Sequence, residues 1–366
     1  MLSPFFLAVL GAVAQAGAGR VDTVRLPISL ELSEARTPVA AEFGSLTGLA
    51  LDRAGNLYLA DVDRAHIWVF DSAGRSRGTI GRKGEGPGEF TVPSGIAFDA
   101  QERLYVRDLV RVSRFRFDAS RGLVARFDTA FRGPLYPNWH WGRASRFDRV
   151  GRLYYPRTVI RQSRGLPTQN FFYRYSEAGR LLDSLAVPAY DNEPATPFFA
   201  TGPGGGRMLP GLGYVPFAPL PVWDATPAGT IISGSGRAYE LIETDSAGTV
   251  LRRIRRSVPA DPIDPRVRAD SVRALRRRLD SIPVARDRVQ GLPSDVAAVR
   301  VPDHLPAYQA VFAAPDGFIW VRRWPSGDSQ RTLFDVFDRT GHLVRVVVLP
   351  VVILIAWQLG RLTADG

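Results

Sequence analysis

The chain has 366 residues, 47 Lys+Arg against 36 Asp+Glu for a formal net charge of +11, 45% hydrophobic residues, 35 Gly, 28 Pro and no Cys. That length suits one large β domain or about two ordinary ones, and the hydrophobic fraction excludes wholesale disorder. Without Cys there are no disulfides, thiolate metal sites or Cys nucleophiles, and with four His (His66, His140, His304, His342) a His-rich metal site needs most of them. Lys83 is the only lysine, so the basic excess is arginine, which reads as a compositional bias. The charge still admits an anionic partner through counterion release.

In chain order, residues 1–18 come first. Phe5–Ala14 is apolar but too short to span a bilayer, and Ala14-Gln15-Ala16 and Ala16-Gly17-Ala18 have the A-x-A form of a signal-peptide cleavage site. No Lys or Arg precedes Arg20, so the basic start of such a peptide is missing. The expectation is an exported protein, whether periplasmic, at the cell surface or secreted, with one domain over 22–366. Next comes a unit of four short strands and tight polar turns, LTGLALDRAGNLYLADVDRAHIWVFDSAGRSRGTIG (46–81). It recurs over 93–127, 143–187, 222–259 and 310–350. Such a meander cannot bury both faces alone, and radial stacking of copies makes a β-propeller. The stretch 24–32 is expected to share a last, incomplete blade with 351–366. The apolar run Val346–Leu359 is broken by Pro350 and reads as strands, so no transmembrane span is expected.

GLALDRAGNLYLAD, HIWVFDSAGR and GRKGEGPGEFTVPSGIAFD resemble the NHL-type repeats of six-bladed propellers, with Gly84–Phe90 the most specific piece. The resemblance is closest over 46–127. It implies an all-β propeller fold and relatives that include lactonases, a peptide-amidating lyase and non-catalytic binding proteins. It fixes no function by itself.

Turn lengths point to the working side. Strand 1–2 and 3–4 turns, such as Arg53-Ala54-Gly55-Asn56, are short and rich in Gly, Asp and Ser. The connections on the other rim are long: 128–142, 156–170, 188–221, 260–309 and 324–330. Binding residues concentrate on long loops of a rigid scaffold. On that rim Tyr136–Trp141, with Trp139, His140 and Trp141, offers aromatic stacking for a sugar, peptide or base, or simply plugs a gap between blades. Asp191, Asn192 and Glu193 offer oxygen ligands for calcium, or a solvated turn. Within the helical insertion 260–296, Asp264–Ser281 is the only helix signal. Val267, Val272, Leu275, Leu279 and Ile282 form one stripe, and arginines fill the rest. It reads as an amphipathic lid, or as a surface for an anionic partner. Repeat alignment sets Thr47, Ser94, Arg143, Pro221 and Gln309 at the channel mouth, where Arg143 with nearby Arg146 suits an anion, or where the set forms a wet, structural channel ring.

Catalytic motifs do not emerge. Asp52, Asp99 and Asp148 recur at turns, and Asp61 and Asp108 at loop starts, as structural caps do. There is no G-x-S-x-G, H-E-x-x-H or phosphate loop. The reading is therefore a binding propeller for a small molecule, glycan or protein on the long-loop rim. No cofactor and no nucleic acid are expected. The alternative is a metal-dependent lactonase, hydrolase or lyase, under which calcium enters.

Overall fold

A computed structural model describes residues 21–26, 30–32, 37–108, 111–117, 124–132, 146–159, 169–190, 199–201, 208–209, 215–280, 289–290, 301–324 and 331–349. The chain enters through β1 (Asp22–Arg25) and a 3-10 turn at Pro38–Glu42. Blade one follows as β2 (Leu46–Leu51), β3 (Leu57–Asp61), β4 (His66–Phe70) and β5 (Ser76–Ile80). Blade two is β6 (Gly95–Phe98), β7 (Leu104–Arg107), β8 (Arg111–Phe117) and β9 (Ala125–Arg132). Blade three is β10 (Arg146–Phe147), β11 (Leu153–Val159), β12 (Gln169–Tyr175) and β13 (Leu181–Ala186). Two short strands come next, β14 (Phe199–Thr201) and β15 (Met208–Leu209). Blade four is β16 (Val222–Ala225), β17 (Ile231–Gly234), β18 (Glu240–Thr244) and β19 (Val250–Arg255). The insertion holds α1 (Pro265–Asp280) and β20 (Val289–Gln290). Blade five is β21 (Ala310–Ala313), β22 (Ile319–Arg322), β23 (Thr332–Phe337) and β24 (Leu343–Leu349).

Each blade is an antiparallel meander in chain order. Second strands such as Leu57–Asp61 and Ile319–Arg322 are buried at every residue, which fits their unbroken apolar runs. Outer strands such as Ser76–Ile80 are exposed along most of their length. Successive sheets pack face to face. Tyr58, Ile67 and Phe90 meet Ile96, Val106 and Phe115 between blades one and two. Tyr105 and Val112 meet Tyr155 and Tyr175 between two and three, and Tyr154 and Phe172 meet Trp223 and Ile231 between three and four. Leu241 and Ile254 meet Val321 and Phe337 between four and five. Buried Asp335 adds a polar tie at that last interface. It accepts from Tyr239 Oη (2.5 Å) and Arg323 Nε (2.9 Å) and pairs with Arg256.

The linker Gly81–Phe90 shows why its sequence is distinctive. Phe90 is fully buried as the plug between blades one and two. A Cβ on Gly81 (φ +79°) would lie 2.2 Å from its ring, so only glycine fits. Thr91 and Val92 then donate their backbone N–H groups to Asp108. Asp61 serves the same purpose one blade earlier, accepting from Gly44 N, Arg64 N and Trp68 Nε1. Both aspartates are structural caps.

Asp22–Arg25 pairs in parallel with β24 as a fifth strand on the edge of blade five, while 351–366, the expected companion of 24–32 in a last blade, lies outside the described residues. Leu26 sits in the blade-five core, and Leu32 packs on Leu57, Leu59, Trp68 and Phe70 of blade one. This segment thus touches both ends of the arc of five blades. Residues 1–20, including the expected signal peptide, and 350–366 lie outside the described residues.

Candidate functional site

The two rims are built differently. On one, five-residue turns recur at 52–56, 71–75, 99–103, 148–152, 176–180, 226–230, 245–249, 314–318 and 338–342. In each, the first residue's N–H bonds the fifth residue's carbonyl, and the fourth residue's N–H bonds the first residue's carbonyl. Where the first residue is Asp, its carboxylate also accepts from the backbone, as Asp148 does from Val150 and Arg152. The fourth residue is a glycine with φ between +76° and +92°, except Glu102 at +57°. That is a type I turn closed by a left-handed residue, so Asp and Gly are demanded by geometry rather than by chemistry. The other rim carries the insertions. Two of them join: β14 pairs with β15 and also with β20, so the 188–221 and 260–309 connections share a small sheet.

At the insertion-bearing end of the channel, three expected site residues have defined roles. Thr47 Oγ1 donates to Pro93 O at 2.9 Å and ties blade one to blade two. Ser94 Oγ accepts from Arg107 Nε at 3.1 Å. Gln309 Oε1 accepts from Arg322 Nη2 at 2.7 Å, while its Nε2 donates to Arg323 O. Arg107 and Arg322 occupy the same register position, opposite Gly95 and Ala310, at the ends of second strands. Both are buried, and Arg107 also lies over the Tyr155 ring, 5.4 Å from its centroid. Burial pushes the Arg107 guanidinium below its ordinary range and brings Arg322 down to about 10. A cation held in a dry position favours an approaching anion more strongly than one in water. First-strand alignment finds Ser94 and Gln309 but carries no signal for the arginines opposite, which sit on second strands.

Arg146, expected near Arg143 as a candidate anion ligand, lies at the tight-turn end of β10, two residues before the cap Asp148. Asp224, two residues before the cap Thr226, is its counterpart on blade four. The two meet at 3.1–3.2 Å, and Asp224 also accepts from Ala225 N and Ala313 N. The blade alignment itself holds the signal for this pair. Beside it lies a cavity of about 290 Å³ bordered by all five inner strands.

Trp139, His140, Trp141, Arg143, Asp191, Asn192 and Glu193 lie outside the described residues. Among the described residues, no three His, Asp or Glu side chains group as a metal would need. Tyr190 donates to or accepts from Ser233 Oγ at 2.9 Å. His66 packs edge-on against Trp68, and burial lowers its pKa. His342 contacts Thr340 in a tight turn, and His304 pairs with Pro262 at the insertion stem. Helix α1 is capped by Asp264, which accepts from Arg266 N. Of its expected stripe, Leu275 is buried and Val272 half-buried, while Val267 is 48% exposed. Among the described residues no helix is long and apolar enough to cross a membrane.

A family model, DUF5128, described as a 6-bladed beta-propeller, matches residues 41–132. The fold is a β-propeller. Five four-stranded blades with one helix are described, where that family's description counts six. A comparison with curated protein sequences finds no match. Among solved structures the propeller resembles virginiamycin B lyase from Staphylococcus aureus, at 9% identity over 85% of this chain and 86% of that one, TM-score 0.37. It also resembles the calcium-binding protein regucalcin from Agrobacterium tumefaciens (13%, 84% and 75%, TM-score 0.36). A protein of unknown function from Bacteroides caccae is a third (9%, 83% and 86%, TM-score 0.40).

Proposed function

We propose that this chain is an exported, NHL-like binding propeller that takes an anionic small molecule, glycan or protein group on its insertion-bearing rim. The observation that carries the reading is the pair of buried arginines, Arg107 and Arg322. Each is held at the same strand end by a channel-mouth residue, Ser94 or Gln309. A guanidinium in a dry position attracts a ligand's carboxylate or phosphate more strongly than one in water. The three-stranded sheet between the two insertions supports the same side, because it gives that rim a backbone frame. Thr47, Ser94 and Gln309 are positioning residues here, since their polar atoms are spent on the scaffold. Export is read from residues 1–18, and the single-domain assignment 22–366 goes with it.

The test is calorimetric titration of the full chain with inorganic phosphate, glucuronate, glutamate and neutral glucose. An anion is expected to bind at least about tenfold tighter than glucose, and Arg322→Met or Arg107→Met to lose about tenfold for that anion. Equal responses to glucose and the anions, or unchanged anion affinity in both variants, overturn the reading.

A further inference from the structure

The tight-turn rim holds a second feature. The residue after each first-to-second-strand cap is Arg53, Ala100, Arg149, Pro227 or Pro315, and all five border the same cavity of about 290 Å³. Two residues before the caps, blades one and two carry Ala50 and Ala97, while blades three and four carry Arg146 and Asp224. The alanines leave room where the ion pair consumes its own charge. The rest of the lining combines apolar Leu51, Phe98, Phe147, Ala225 and Ala313 with the carboxylates of Asp99 and Asp148.

The acidic groups at this mouth are already engaged. Asp99 pairs with Arg103 and Asp148 with Arg152, both at 2.6 Å, and their side chains are 1% and 2% exposed. The cations are less committed. Arg53 holds Ala100 O and Glu102 yet stays 64% exposed. Arg149 is exposed, and among the described residues its guanidinium has no partner, although its backbone N–H donates to Pro227 O. Arg146 meets Asp224 through Nε and Nη2, which leaves Nη1 outside that pairing. Apolar walls with a few placed polar groups at one end are the usual build of a small-molecule site, and this volume stands near the lower end of such sites.

We propose that this cavity binds a small amphipathic monocarboxylate, with its apolar body between Phe98, Phe147 and Leu51 and its carboxylate at Arg149. A single uncommitted guanidinium beside apolar walls fits a monoanion with a short chain or one ring. The site lies at the opposite end of the channel from Arg107 and Arg322, so its success or failure leaves the previous reading untouched.

The probes are 4-phenylbutanoate and the uncharged 4-phenylbutanamide, titrated calorimetrically into the full chain. The acid is expected to bind with one-to-one stoichiometry at a Kd of about 1 mM or tighter, and the amide about tenfold or more weaker. Arg149→Gln, a surface change that spares the core, is expected to bring the acid to the level of the amide. Ala97→Phe, which fills the space, is expected to abolish binding of both while circular dichroism and melting stay those of a folded chain. Should Ala97→Phe unfold the protein, Arg149→Gln alone decides. No saturation by the acid, or equal affinity for acid and amide, overturns the proposal. So does acid binding unchanged by Arg149→Gln.

Discussion

Replacing Arg146 and Asp224, singly and together, probes how the blades are held around the channel. The pair is formed by Nε and Nη2 at 3.1–3.2 Å, with side chains 15% and 8% exposed. Arg146→Leu leaves the Asp224 carboxylate buried, held only by the amides of Ala225 and Ala313. Breaking a buried pair from one side costs about 3–5 kcal/mol, and the two remaining amides set the expected loss at the lower end, about 3 kcal/mol. Asp224→Leu strands the Ala313 N–H and the Arg146 donors. Arg146 faces a cavity that water can enter, so the expected loss is about 2 kcal/mol. Together the single losses amount to about 5 kcal/mol. The double Leu variant replaces the ion pair with apolar contact, which is often close to neutral, and is expected to lose about 2–3 kcal/mol. The coupling is therefore about 2–3 kcal/mol, read from urea unfolding followed by tryptophan fluorescence. Losses in the double variant that equal the sum of the singles within about 0.5 kcal/mol would refute the pairing.

Further outcomes follow from the same geometry. Phe90→Ala empties the plug between blades one and two and is expected to cost about 3–5 kcal/mol in urea unfolding; a loss under about 1 kcal/mol contradicts that placement. Gly151 has φ +79° and nothing within 4 Å of a Cβ, so Gly151→Ala carries only the left-handed backbone cost, about 1 kcal/mol. Gly179→Ala adds a clash 2.5 Å from the Phe131 ring and is expected to cost about 2–4 kcal/mol; equal losses at the two sites argue against the turn geometry. Backbone hydrogen bonding at Arg75, aided by the Arg75 guanidinium, holds the Asp71 carboxyl at about 2. Its contribution is present above the ordinary carboxylate pKa and fades as pH falls from about 4 to 2. Asp71→Asn should therefore flatten the stability profile over that interval, and an unchanged slope contradicts the hydrogen-bonded turn. Asp335→Ala leaves Arg323, Arg256 and Tyr239 without their shared acceptor and is expected to cost about 3–5 kcal/mol by chemical denaturation; a near-neutral effect argues against that network.

Much of the architecture is legible in the sequence because each blade repeats its own punctuation. Asp–x–x–Gly turns, doubly apolar second strands and the Gly84–Phe90 linker are local signals that physical chemistry turns directly into structure. Pairing partners are less legible. Nothing in VRLP tells β1 to lie parallel to β24, since edge pairing depends on which strand edge is left open. Strands as short as Met208–Leu209 and Val289–Gln290 carry no periodicity, so the sheet joining the two insertions leaves no trace in the pattern. Ser94 and Gln309 are legible from the repeat of first strands, while the charged groups they hold, Arg107 and Arg322, sit on second strands opposite. Arg146 alone reads as a candidate anion ligand, and its partner Asp224 lies on the next blade. A side chain's neighbour on the next blade is set by the stacking, not by the local sequence.

The central claim is that blades stand in sequence around one channel, with capped five-residue turns on one side and the insertions on the other. An electron-density map of the full chain tests it most directly. It should show β2, β6, β10, β16 and β21 lining the channel, turns 52–56, 99–103, 148–152, 226–230 and 314–318 together at one end, and Arg107 and Arg322 at the other. Sheets paired into a sandwich, or Arg107 and Arg322 at the end occupied by those turns, would contradict it.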